Sequence, residues 1–387
     1  MKKTLLAAAL TVGFAGVANA ETSVTLYGLI DTGFGYTQFK NKSAEADQAN
    51  KTRRVGLYDG VQSGNRWGLR GSEDLGDGLR AVFQLESGFN LTDGESQQGG
   101  KLFGRNATIG LANDSWGSLT FGRQTNVSSR FIADSGIASP FGDSFANAAI
   151  GQTFTSAATV RADDTVVYVS PSFSGFTFAA GYSFGVKGQD WKVSGGDTFN
   201  ADGDLVNNTD ASLKLLTTGL LYSNGPLGLA ATYEQLSGDT LDEKVKAWNL
   251  AASYDFEVVK LHAAYGQERN GTMSNSNTAQ LEDINAIQFR EAWGDSVYKA
   301  NNWAFGVSAP LGGGKLMAGW AQSKAKGELR DLIDEVADAK TQNNYAIGYT
   351  YDLSKRTNVY AVGSYIKGYA FQDVTATQAI VGLRHRF

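Results

Sequence analysis

The last eleven residues constrain this chain more than any other stretch. Read as an extended strand, Thr377, Ala379, Val381, Leu383, His385 and Phe387 share one face, while Gln378, Ile380, Gly382, Arg384 and Arg386 share the other. A mostly apolar face backed by a mostly polar one suits a wall between lipid and water. In a soluble sheet, an exposed strand ending on an aromatic residue would leave an unpaired, aggregation-prone edge. In a closed barrel that edge is used up by pairing with the first strand. The chain end therefore reads as the closing strand of a β-barrel, with Phe387 as an interfacial aromatic.

The beginning of the chain points to the same compartment. Lys2 and Lys3 precede an apolar run, residues 5–17, and then Ala18-Asn19-Ala20. This pattern of charged, apolar and small residues is that of a secretory signal peptide over residues 1–20. The expected mature chain, 21–387, is a single barrel domain of 367 residues (387 minus 20). Its apolar run is too short for a membrane helix of about 20 residues, and no later stretch approaches that length. Cysteine is absent, so the scaffold must be secured otherwise, and a closed ladder of main-chain hydrogen bonds does so. The formal charge is −5, or −7 without Lys2 and Lys3 (32 minus 39). No basic excess is left to recruit nucleic acid.

Period-two alternation recurs along the chain. Val24, Leu26, Ile30 and Phe34 oppose Thr25, Tyr27, Asp31 and Gly33, and Phe176, Phe178, Ala180 and Tyr182 oppose Thr177, Ala179, Gly181 and Ser183. The same holds for Leu229, Ala231 and Tyr233, for Trp248, Leu250, Ala252 and Tyr254, and for Tyr345, Ile347, Tyr349 and Tyr351. Small residues on the opposite, inward face fit an open lumen, because a packed core would need bulk there. Seven short turn signals lie at 74–78, 113–117, 171–175, 224–228, 255–257, 310–314 and 352–356. Longer polar segments separate them, at 41–60, 125–158, 185–210, 270–300 and 324–340. Short turns on one rim and long loops on the other are the asymmetry of outer-membrane barrels. Seven turns plus two termini on one rim make eight hairpins, hence sixteen antiparallel strands and a water-filled channel. A β-propeller would repeat a common motif about every 40–50 residues, and none is present.

Several strings, in order, resemble a known family. They are Thr-Leu-Tyr-Gly-Leu-Ile-Asp at 25–31, Asn-Arg-Trp-Gly-Leu-Arg-Gly-Ser-Glu-Asp-Leu-Gly at 65–76, Phe-Gly-Arg-Gln at 121–124, Ser-Pro-Ser-Phe-Ser-Gly at 170–175 and Val-Gly-Leu-Arg-His-Arg-Phe at 381–387. The chain resembles the trimeric general porins of Gram-negative outer membranes, in their β-proteobacterial and neisserial branch. The resemblance implies a sixteen-stranded barrel in the outer membrane, a homotrimer, and passive diffusion of small hydrophilic solutes and ions. Outer-membrane lipid and lipopolysaccharide are its implied surroundings. The barrel-assembly machinery, which recognises the terminal aromatic, is its implied partner during biogenesis, with Phe387 as the signal.

The resemblance also implies that the third long loop, 125–158, folds into the lumen and narrows it. The family's loop tip carries Pro-Glu-Phe-Gly-Gly, whereas here Pro140 is followed directly by Phe141. Asp134 and Asp143 are the candidates to supply the missing loop charge. On the opposite wall the family has an arginine ladder, matched here by Arg66, Arg105 and Arg161, with Arg130 as an added cation on the loop. Arg66 shares a face with Gly68, Arg70 and Ser72, while Arg105 shares its parity with the apolar Ala107, Ile109 and Leu111. Cations facing carboxylates across a narrow wet passage set a transverse field that orients polar solutes and sorts ions. Three wall arginines favour anions, and the loop carboxylates pull the other way.

Arg123 shares parity with Leu119 and Phe121 on the outer face, where a cation in lipid costs about 2–4 kcal/mol at mid-depth. It is therefore expected at a subunit interface, paired with Glu95 or Asp93 of a neighbouring copy. Tyr36, Trp116, Tyr182, Tyr222, Tyr254, Tyr351 and Phe387 are the expected girdle aromatics.

Other classes find little support. His262 and His385 are the only histidines, and neither has a nucleophile motif or a metal-ligand partner at suitable spacing. Asp202-Gly203-Asp204 lacks the remaining ligands of a calcium loop. No cofactor and no catalysis are expected. A substrate-specific channel remains the alternative, ahead of a barrel enzyme or adhesin.

Overall fold

The computed structural model describes residues 23–43, 50–142, 145, 160–188, 198–199, 205–206, 213–238, 243–271, 298–336 and 338–387. The expected signal peptide, Asp143 and residues 146–158 of the third loop lie outside the described residues.

Hydrogen-bonded strands run in chain order. They are β1 (Ser23–Asn41), β2 (Lys51–Asp59, resuming as Arg66–Gly76), β3 (Leu79–Gly88), β4 (Asn106–Asn113), β5 (Gly117–Thr125), β6 (Arg161–Val169), β7 (Phe176–Ser183) and β8 (Lys214–Asn224). Then come β9 (Leu227–Ser237), β10 (Val245–Asp255), β11 (Lys260–Gly271), β12 (Tyr298–Leu311), β13 (Gly314–Ala325), β14 (Gln342–Asp352), β15 (Thr357–Lys367) and β16 (Val374–Arg386). The sheet has 17 segments, two of which are the halves of β2, so among the described residues it has sixteen strands (17 minus 1). Both halves of β2 pair antiparallel with β1, Lys51 opposite Lys40 at one end and Ser72 opposite Ser23 at the other. Every strand pairs with the next, and β16 returns to β1 with Arg386 opposite Leu29 and Val374 opposite Asn41. The expected closed sixteen-stranded barrel is the observed one, and the seven short turns fall where the sequence puts them.

The seam explains the terminal aromatic. Phe387 donates its N–H to Gly28 O at 3.0 Å and accepts from Gly28 N at 3.1 Å. A Cβ at Gly28 would lie 2.4 Å from the Phe387 ring, so only glycine lets the ring lie flat across the junction. Closure leaves no strand edge exposed along this seam.

Alternation sorts the two faces as expected. Val24, Leu26, Phe34, Leu229, Leu250, Ile347, Val381 and Leu383 are exposed on the outside, the apolar outer face of a barrel wall. A cross-strand row of Phe305, Trp320, Tyr345 and Tyr365 runs over β12–β15. Near the turn rim, Trp116, Tyr254, Tyr351 and Phe387 are exposed. The assignment of 41–60 to a loop needs correction, because Lys51–Asp59 is the first half of β2. Its outward Lys51 and Arg53 mask the strand signal. Val55 and Leu57 carry the outward apolar positions that the alternation requires.

The inward face also departs from the open-lumen expectation. Ala179, Ala230, Ala251, Ala264, Ala304 and Ala321 are buried in one cluster with Val127, Phe131, Ile132, Ile137 and Ala138 of the third loop. These small wall residues seat a chain segment. Cβ atoms built at Gly219, Gly306 and Gly319 would come 2.9 Å from Phe131, 2.3 Å from Pro140 and 3.2 Å from Phe141. The loop thus brings its own bulk to a shelf of alanine and glycine spanning β7 to β14.

Candidate pore constriction

The third loop leaves β5 at Thr125 and turns through a short helical segment, Ser129–Asp134. Several polar bonds pin it to the inner wall. Val127 N donates to Thr217 Oγ1 on β8 at 3.1 Å, and that hydroxyl donates to Glu234 Oε1 on β9 at 2.9 Å. His262 Nδ1 on β11 lies 3.2 Å from Ile137 O, and its Nε2 lies 3.4 Å from Ser308 Oγ. Lys315 Nζ on β13 reaches Pro140 O at 3.5 Å. His262, a candidate reactive group by residue type, is spent on seating the loop.

On the facing wall Arg105 pairs with a carboxylate. Glu86, buried on β3, accepts from Arg105 Nε at 2.6 Å and from Tyr27 OH at 2.9 Å. Gln84 Nε2 donates to the same tyrosine hydroxyl at 2.6 Å, and the Arg70 guanidinium stands 5.1 Å from the Tyr27 ring centroid. Arg66 Nε donates to Gly64 O at 2.9 Å. Arg161 is the first residue of β6, and Arg105, Arg66, Glu86 and Asp134 are the charges its guanidinium feels. Arg66, Arg105 and Arg161 therefore form one electrostatic group.

The parity conflict at Arg105 resolves simply. Residue 105 lies one position before β4 begins, so the strand does not dictate its direction, and its side chain turns inward to Glu86.

On the loop, Arg130 donates from Nε to Thr125 O at 3.0 Å and from Nη2 to Gln124 Oε1 at 3.0 Å. Burial lowers its pKa from the ordinary value, and the Asp134 carboxylate opposes that shift. Asp134 is itself exposed, at the end of the helical segment. Asp143 lies outside the described residues. Among the described residues no group of three or more His, Asp or Glu side chains is placed to hold a metal ion.

Arg123 finds its partner within its own chain. It pairs with Asp163 on β6 through Nη1 and donates from Nε to Gly104 O at 2.7 Å, while Lys101 Nζ reaches the other Asp163 oxygen at 2.7 Å. The Glu95 or Asp93 pairing expected from the sequence concerns a neighbouring copy of the chain and did not foresee this internal triad. A bulge between Gly122 and Gln124 makes it possible, turning β5 so that Arg123 meets the irregular start of β6.

Sequence reasoning missed Glu86, Gln84 and the role of Tyr27. A signal existed: Gln84 and Glu86 are polar at alternate positions of β3, opposite Arg70 and Gly68 on β2.

Comparison with known proteins shows the family. The profile of the Gram-negative porin family matches residues 6–369. The chain belongs to that family. An outer membrane porin protein of Bordetella pertussis is 46% identical over 404 aligned residues, covering 100% of both chains. Outer membrane porin protein 32 of Delftia acidovorans is 30% identical, again over the whole of both chains. Among solved structures, an anion-selective porin from Comamonas acidovorans superposes with a TM-score of 0.67 at 27% identity, covering 95% of this chain and 100% of that one. The protein is thus an outer-membrane porin, a multi-pass β-barrel of the outer membrane, and its relatives are channels.

Proposed function

We propose that this porin is a diffusion channel for small hydrophilic solutes whose selectivity is set between the third loop and the arginine wall, with a preference for anions. The observation that carries this reading is the imbalance of charge. Arg66, Arg105 and Arg161 lie together near Glu86, with Arg70 over the Tyr27 ring; Glu86 is already committed to Arg105 and Tyr27, and Asp31 to Ser63 and Tyr360. The loop offers Asp134 against this, beside its own Arg130. A dissolved anion crossing between them meets a net positive field, strengthened by the low-dielectric barrel wall. The loop's apolar residues face the alanine shelf, which supports a fixed narrowing in place of a mobile flap.

A homotrimer belongs to the same proposal. Outward residues on β16, β1, β2 and β4 are chiefly aliphatic, including Val381, Leu383, Val24, Leu26, Val55, Leu57, Ile109 and Leu111. The sector from β7 to β15 carries the aromatics Phe176, Phe178, Tyr254, Trp303, Phe305, Tyr345 and Tyr365 instead. A girdle anchors a lipid-facing wall, and the aliphatic sector suits subunit contacts. Arg123 lies beside that sector in β5, with a structural role, and Phe387 completes the seam that assembly must close.

Liposome flux separates general from substrate-specific transport. A diffusion pore predicts uptake that rises linearly with solute concentration and falls steeply with solute size. Saturation by one solute class at low concentration would favour the specific channel.

A further inference from the structure

Between its two halves, β2 departs from β1 for residues 60–65, a stretch that is mostly buried although it carries Gln62, Ser63 and Asn65. Its polar groups are satisfied from several directions. Asp31 on β1, fully buried, accepts Ser63 N at Oδ2 and Tyr360 OH at Oδ1, both at 2.5 Å. The Asp31 backbone accepts Gly60 N at 2.9 Å and donates to Asn65 Oδ1 at 2.6 Å. From the closing strands, Asn358 Nδ2 donates to Gln62 Oε1 at 2.9 Å, and Arg384 Nη1 donates to Ser63 Oγ at 2.8 Å. One residue therefore grips both ends and the middle of this excursion.

Both sides of the constriction attach to it. On the wall side, Gly64 O accepts Arg66 Nε at 2.9 Å, and a Cβ at Gly64 would lie 3.3 Å from Arg105 Nη1. On the loop side, Phe145 N donates to Gln62 O at 2.8 Å. The Phe145 ring packs edge-on against Tyr360 at 5.4 Å and Phe141 at 6.0 Å, in a cluster with Val61 and Ile380.

We propose that residues 60–65 are an internal clasp, and that Asp31 is the positioning residue which, through it, fixes the arginine wall and Phe145 of the third loop relative to one another. The proposal rests on the selectivity reading above and names what holds that geometry. Asp31 touches no solute. Its carboxylate is needed because it accepts two short bonds at once, one from each side of the seam. Asparagine offers one acceptor oxygen: with that oxygen toward Ser63 N, its Nδ2 faces the Tyr360 hydroxyl, which must then accept instead of donate, and both charge-assisted bonds to the carboxylate are lost.

The test compares Asp31→Asn and Tyr360→Phe with Arg66→Ala in planar bilayers, after barrel formation is verified by heat-modifiable gel migration. Losing a bond to a buried carboxylate should raise the undocked fraction of the loop about tenfold or more. Both clasp variants should then show broadened, flickering open-channel current together with a shifted reversal potential. Arg66→Ala should shift the reversal potential and leave the current quiet. The chain has 0 cysteines, so Gln62→Cys with Phe145→Cys supplies a unique lock. Added to Tyr360→Phe, the lock should quiet the current when oxidised and release it when reduced. A folded Tyr360→Phe barrel with wild-type current noise and reversal overturns the proposal, whatever becomes of Asp31→Asn. If wild-type reversal is indifferent to Arg66, Arg105 and Arg161, the selectivity reading falls, while the noise comparison still decides the clasp.

Discussion

Phe141→Ala removes the ring that ties the third loop to the wall farthest from its origin. Phe141 is 4% exposed, and its ring reaches the glycines of two strands, Gly319 on β13 and Gly348 on β14. Truncating a buried phenylalanine costs about 3–5 kcal/mol. Here that loss falls on docking of the loop, because the barrel's own ladders contain no bond to Phe141. At 1.4 kcal/mol per tenfold, the docked-to-undocked ratio drops by about two to three and a half orders of magnitude. Val127 to Thr217 and Ile137 to His262 hold the loop nearer its start, and Phe145 N to Gln62 O holds it beyond Phe141, so the segment between Ile137 and Phe145 is released first. Single-channel recording should show larger and noisier conductance with unchanged heat-modifiability. Quiet, wild-type conductance from a folded Phe141→Ala barrel would refute the claim that this contact holds the constriction.

Other perturbations follow from individual contacts. Glu86→Gln withdraws the carboxylate from Arg105 and adds one positive charge to the wall. It should increase the anion-to-cation permeability ratio and lower thermal stability by about 1–3 kcal/mol; an unchanged ratio would show that Glu86 does not act on the ion path. Arg123→Ala and Asp163→Asn should couple in a double-mutant cycle by about 1–2 kcal/mol, reduced because Lys101 still serves Asp163, and should leave selectivity unaltered. A trimer-specific loss on Arg123→Ala with no coupling to Asp163 would return Arg123 to the subunit interface. Gly28→Val should reduce the yield of closed barrel, because its side chain would meet the Phe387 ring; normal assembly would show that the ring can swing aside at no cost.

The barrel was legible because its signals are local and repeated. Alternation, short turns and the terminal aromatic each report the same wall, and closure follows from pairing the last strand with the first. The inner architecture was less legible, for reasons that differ by residue. Ala230, Ala251 and Gly319 are small, and smallness reads equally as open water or as a seat for another segment. The segment that fills the seat has no periodicity to announce it. Arg105 and Arg161 stand at or just before strand starts, where parity gives no direction. Arg123 is displaced by a bulge whose position depends on pairing with β6, a partner some 40 residues away in sequence. Asp31 was visible as an inward position of the first strand and as part of a recognisable string. Its role emerges once β15 and β16 close against β1.

The zero-current potential of the purified wild-type protein under a KCl gradient tests the central claim most directly. Each wall arginine about 6 Å from a passing ion contributes about 0.7 kcal/mol in water before screening, of opposite sign for anions and cations. With screening at about 0.1 M salt, removing Arg161 as alanine should lower the anion-to-cation permeability ratio by about three- to fourfold. The account predicts an anion-side potential that moves toward the cation side with Arg66→Ala, Arg105→Ala and Arg161→Ala in turn. A cation-side potential, unmoved by all three substitutions, would contradict it.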